Sequence, residues 1–176
     1  MTKQTHSNGA ERLKRRKIKE GEVVAIPATD GQGYLVAVVA RAEDSISIGA
    51  AILVYIFGPR WDSVPKIECV GQLDPGNALD IVRTGVRRII EGRWPVIGIL
   101  DTFNKADWPI PIFGGISLSV PGYAWLARYS EDRVGMGAPR EEWQVSPEEA
   151  RRYPADAANG VDVAAFDATK KLQEME

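Results

Sequence analysis

The side chains that most often run chemistry are scarce in this chain of 176 residues, which holds one histidine, His6, and one cysteine, Cys69. A Ser–His–Asp relay or a histidine acid–base pair needs an imidazole held beside a nucleophile or a reacting proton. His6 stands instead in a polar, basic opening segment. Zinc takes three or four nitrogen, sulfur or carboxylate ligands, and one histidine and one distant cysteine do not supply the usual set. A nucleophilic thiol needs a neighbouring cation or base to form its thiolate. Cys69, inside the apolar run Ile67-Glu68-Cys69-Val70, reads as a buried, inert thiol. Gly31-Gln32-Gly33 reads as a turn, because a dinucleotide fingerprint needs a longer glycine pattern between a strand and a helix. Adjacent carboxylates occur at Glu131-Asp132 and Glu141-Glu142. Such pairs are usually solvated, so they leave one chemical alternative open, a small metal-dependent hydrolase working through Asp and Glu. No cofactor site and no catalytic residue is expected.

Residues suited to binding are more plentiful. Residues 1–20 carry seven bases against two acids, a net charge of +5, and residues 141–176 carry nine acids against four bases, a net charge of −5. A basic head and an acidic end invite opposite partners. The run KRRKIK, residues 14–19, is the only candidate for phosphate contact. It has no interleaved aromatic rings, so nucleic acid is not the expected partner, although a nucleic-acid-binding β module stays open as an alternative. Five tryptophans stand at Trp61, Trp94, Trp108, Trp125 and Trp143. Tryptophan caps cores at loop junctions and also anchors interfaces. Trp108 follows Asp107, and Trp143 follows Glu141 and Glu142, so Asp107, Trp108, Glu141, Glu142 and Trp143 form the candidate binding set.

The elements that must carry these residues follow from pattern. GEVVAIPA and YLVAVVARA, around the turn TDGQG, predict a β-hairpin, with Pro27 pointing to an edge or a bulge. Residues 48–57 predict a third, central strand, and residues 66–72 a fourth. In residues 78–91, Leu79, Val82, Val86, Ile89 and Ile90 recur at three- and four-residue steps and predict one main helix stopped by Gly92. In EGRWPVIGILD, Pro95 restricts Trp94 away from helical geometry, so a junction and a buried strand over residues 95–100 are expected. Residues 123–130 alternate and predict a late strand. Ser146, Pro147 and Glu149 make a capping signature for a short helix. A last helix is expected over residues 161–172, with Val161, Ala165, Phe166, Ala168 and Leu172 inward.

Strands and helices do not alternate, which predicts an α+β fold, a strongly bent antiparallel sheet packed on the helix at 78–91, with short C-terminal helices. Residues 1–16 are expected to be a disordered basic head, and residues 17–176 one domain. Apolar residues make up 44% and charged residues 26%. No run of eighteen apolar residues exists, so no membrane span is expected. The opening segment lacks the apolar stretch of a secretory signal, and with one cysteine the setting expected is the cytoplasm.

Two stretches carry a family resemblance. KIKEGEVVAIP (residues 17–27), with Asp30-Gly31 and Tyr34 after it, resembles the opening of the immunity protein 26 family, from bacterial polymorphic toxin systems. GRWPVIG (residues 92–98) resembles that family's helix-to-strand junction, and the likeness runs over residues 17–115. It implies an inhibitor without chemistry of its own, whose partner is a cognate toxin domain. Many such toxins are nucleases, whose basic clefts suit acidic, aromatic-bearing surfaces. Acids beside tryptophans, taken with that implied partner, make Asp107, Trp108, Glu141, Glu142 and Trp143 the expected toxin-facing surface, although no motif of the resemblance reaches the acidic C-terminal part.

Overall fold

Three apolar runs become the middle of a six-stranded sheet. In the computed structural model, which describes residues 16–42, 50–131, 139–156, 158, 159 and 161–175, strands β1 (Glu22–Pro27), β2 (Tyr34–Ala42) and β3 (Ala51–Trp61) pair antiparallel in sequence order. β4 (Asp80–Gly85) joins β3 antiparallel, β5 (Val96–Ile99) joins β1, and β9 (Ala158–Asn159) joins β4 in parallel, giving the order β5-β1-β2-β3-β4-β9. A second, antiparallel sheet has the order β6-β7-β8, from β6 (Phe113–Ile116), β7 (Ala124–Arg128) and β8 (Glu141–Val145). Residues 1–15, most of the expected basic head, and Ile48 and Gly49 of the expected third strand lie outside the described residues.

The near-continuous hydrophobicity of β1 to β3 has a direct cause, since both faces of the large sheet are covered. Val24, Ile26, Leu35, Ala37, Val39, Ile52, Val54 and Ile56 point one way, into a core closed by Ile89, Ile90, Trp94 and the helix α4 (Val161–Gln173). Val23, Val36, Val38, Leu53, Tyr55 and Phe57 point the other way, against Trp108, Phe113, Ala127 and Tyr129. The second core is therefore the layer between the two sheets. Period-two alternation assigns each residue to one layer. At roughly 25 cal/mol per Å² of apolar surface, these two layers are the main source of stability.

The fold is α+β with two sheets that are antiparallel except for the short strand β9, but the main helix expected at 78–91 does not form. Residues 80–85 are strand β4, and only the one-turn helix α2 (Arg87–Ile90) remains of it. Ile81, Val82 and Thr84 are β-branched and Gly85 disfavours a helix, and β4 pairs with β3 over six residues. The helical spacing from Val82 to Val86 straddles a strand–helix boundary. The expected fourth strand at 66–72 is also replaced, by the short helix α1 (Ile67–Val70), and Cys69 is exposed rather than buried. β5 is an edge strand that is partly exposed, not a buried one. β1 lies inside the sheet, and its bulge falls at Val23/Val24 rather than at Pro27. The longest helix is α4, with Ala165, Ala168 and Leu172 buried as expected and Phe166 56% exposed, against expectation.

Several local readings hold. Gly92 takes φ 73° after α2, and Trp94 is buried, its N–H donating to the Arg88 carbonyl at 2.9 Å. The residues GRWP thus end one element and start the next. Ser146 caps the helix α3 (Pro147–Ala150) by accepting from Glu149 N at 3.1 Å. Among the described residues, no helix is long and apolar enough to cross a membrane.

Candidate functional site

The second sheet is fastened to the first by one buried carboxylate. Gly114 N donates to the Pro154 carbonyl and Asp156 N donates to the Gly114 carbonyl, both at 2.8 Å, so residues 154–156 run along the outer edge of β6. That places Asp156 between the sheets. Its carboxylate accepts from Arg83 Nη1 of β4 at 2.9 Å, from the Tyr129 hydroxyl at 2.7 Å and from Trp125 Nε1 at 2.8 Å. The Arg83 guanidinium also lies 3.7 Å from the centre of the Tyr129 ring and 5.8 Å from that of Phe113. A buried ion pair costs heavily in desolvation unless further hydrogen bonds satisfy both ions. Here three donors and a stacked ring meet that requirement.

A second tie runs through Arg41, whose side chain is almost fully buried. It donates to Glu131 at 2.7 Å, to the Ala40 carbonyl at 2.7 Å and to the Lys105 carbonyl at 3.4 Å. The Tyr55 hydroxyl donates to the Pro109 carbonyl. Burial pushes the Tyr55 phenol up to about 12. Burial and then the hydrogen bond to Asp156 push the Tyr129 phenol up to about 12 as well. Both therefore stay O–H donors through the physiological range. These groups are saturated by each other, which suits anchoring rather than turnover. Among the described residues, no group of three or more His, Cys, Asp or Glu is placed to hold a metal ion.

The five candidate binding residues fall into two places. Asp107 is exposed on the turn Lys105–Asp107, which Asn104 caps by accepting from Ala106 N at 3.2 Å. Trp108, next to it, is 4% exposed, and its ring meets Tyr55 at 5.2 Å and Phe57 at 6.0 Å between centroids. Its surface is spent inside the core between the sheets. Glu141, Glu142 and Trp143 instead lie on β8, which among the described residues pairs only with β7 and so forms an edge of the small sheet, and all three are exposed. Glu141 pairs with Arg128 at 2.9 Å, and the same guanidinium lies 5.8 Å from the Trp143 ring. Among the described residues, no cation pairs with Glu142. Arg41 is the bridge between the two places, since it holds both the Lys105 carbonyl and Glu131, three residues beyond Arg128.

Sequence reasoning missed β8 as a strand. The signal was thin, because the alternation of polar with apolar in Glu142-Trp143-Gln144-Val145 spans only four residues behind two adjacent acids. Arg83 and Asp156 were missed for a different reason. Their pairing joins positions 73 residues apart, and no local pattern marks it.

Two sheets sharing a core, with one long helix on the far face, define an α+β protein in which the buried Arg83–Asp156 and Arg41 groups are internally satisfied. The sequence model of the immunity protein 26 family matches residues 19–124, which is more than half of the chain, and the chain belongs to that family. The match runs from just before β1 to the first residue of β7; β8, α3, β9 and α4 lie beyond it. No curated protein matches the chain, and no solved structure does.

Proposed function

We propose that this protein is the immunity partner of a bacterial polymorphic toxin, binding the cognate toxin domain in the producing cell's cytoplasm and blocking it without chemistry of its own. The observation that carries this reading is the family match over residues 19–124. The contact surface we assign to it is the edge strand β8, with Glu141, Glu142 and Trp143, together with the turn that bears Asp107. Trp108 supports that turn from below. A nuclease toxin would suit the unpaired Glu142, since a basic cleft gains most from an acid that has no internal cation to leave.

Co-expression with a candidate toxin domain from the neighbouring gene provides the test. The expected result is that cells survive only when this chain is present and that the two proteins co-purify. Growth arrest in the presence of this chain, together with no co-purification, would overturn the reading.

A further inference from the structure

The connection between β6 and β7 carries the most exposed apolar side chain on the described surface. Leu118 is 103% exposed, as open as in an extended chain, Val120 is 53% exposed and Tyr123 36%. All six residues from 118 to 123 are exposed and none is charged. The loop is nevertheless built. Val120 N donates to Ser117 Oγ at 2.9 Å, Ser117 N to the Tyr123 carbonyl at 2.9 Å and Tyr123 N to the Val120 carbonyl at 3.1 Å. Gly122 closes the turn with φ 78°, and the Tyr123 ring leans on Trp125 at 5.8 Å. Trp125 in turn is held by Asp156 at 2.8 Å. The tip is thus fixed to the carboxylate that joins the two sheets, and little ordering entropy is left to lose on binding.

We infer that residues 118–123 form an apolar anchor that inserts into an uncharged recess of the toxin domain, a reading that rests on the immunity function proposed above. Charge selects this occupant. Phosphate recognition needs lysines and arginines, and anionic membrane surfaces attract basic segments. The tip has no cation. At its base, Ala124 pairs with Val145 of β8; Glu142 lies three residues back along that strand opposite Ala127, Glu149 lies on α3 just after it, and both exposed acids have no ion-pair partner among the described residues. An uncharged convex tip on a small sheet that also carries unpaired acids fits a protein recess with cations farther out on its rim. Its apolar side chains can be desolvated without stripping water from a charge.

The test measures the affinity of the full chain for the toxin domain against which it protects cells in the co-expression experiment. Leu118→Asp places a charge where the side chain touches nothing in the core, and Val163→Asp does the same at a 48% exposed position on α4. Leu118→Asp is expected to weaken binding at least tenfold with an unchanged melting temperature, while Val163→Asp changes it less than twofold. Wild-type binding with equal binding by Leu118→Asp would overturn the anchor and leave the immunity reading standing. Wild type that binds no toxin domain would overturn both. Wild type that binds phosphatidylglycerol vesicles, or that self-associates until Leu118→Asp is introduced, would assign the tip to a membrane or to a second copy and overturn the inference.

Discussion

Asp156 takes donors from Arg83, Tyr129 and Trp125 within 2.9 Å, and its loss would take the carboxylate from a buried ion pair and leave two further donors without this acceptor. Removing one member of a buried ion pair typically costs about 3–5 kcal/mol. Asp156→Ala should lower unfolding stability by about that amount in urea titration, and a loss under roughly 1 kcal/mol would show that the clasp is not structural. Asp167 makes the opposite case. Burial first, and then the nearby Asp80 carboxylate, raise its pKa above the ordinary 3.8, while Lys171 and Lys170 work against the rise. A raised carboxyl pKa means that the fold holds the proton better than the unfolded chain does. The charged form is therefore a liability that is full at neutral pH and fades as pH falls through the folded pKa toward 3.8. Asp167→Asn should melt higher than wild type at neutral pH, and the gap should close on acidification. A gap that widens toward acid would contradict the assignment. Neither residue was legible from its neighbours, since both effects depend on groups brought close by the fold.

At the scale of elements, the small sheet depends on two glycines that let other chains come near. A Cβ on Gly114 would stand 2.1 Å from the Ala150 carbonyl oxygen, and one on Gly115 would stand 2.1 Å from the Trp125 ring. The first neighbour is backbone and cannot swing away, so α3 would have to move. Gly114→Ala should cost about 1–3 kcal/mol or more through overpacking, read as a lower urea midpoint with an unchanged slope. An unchanged midpoint would mean that α3 shifts freely. The run Phe113-Gly114-Gly115-Ile116 has no local pattern that marks this, because the glycines' role here is to admit a segment from elsewhere in the chain. Residues 80–85 teach a related lesson. Leu79, Val82 and Val86 satisfy a helical period, yet the strand wins through ladder pairing with β3 from Ala51↔Gly85 to Ile56↔Asp80. Local spacing cannot report that pairing.

The whole molecule separates a fastened interior from an open rim. Formal net charge is −2, so any electrostatic steering depends on local distribution rather than on the total. On β8, Glu142 is the acid free to act at a distance, whereas Glu141 is neutralised in part by Arg128 at 2.9 Å. Glu142→Lys should slow association with the toxin domain by roughly tenfold or less at low salt, and by less as salt screens the field. Stopped-flow association rates over a salt series measure this. A rate that does not change would remove β8 from the contact surface. Since the family match ends at residue 124, a contact on β8 would place discrimination between toxins outside the shared part of the chain.

The sequence by itself determined what nearest neighbours decide. The hairpin of β1 and β2, the central β3, the Ser146 cap, the last helix and the stop at Gly92 before Trp94 and Pro95 all follow from turn chemistry, capping and short-range periodicity. So did the family, because its resemblance lies in two contiguous stretches. Tertiary structure alone decided that residues 80–85 are a strand, that Trp108 is core while Trp143 is rim, that β8 joins β7 at the end of the small sheet, and that Arg83 meets Asp156. Each of these is a contact between distant positions, and its energy appears only once the chain has closed on itself.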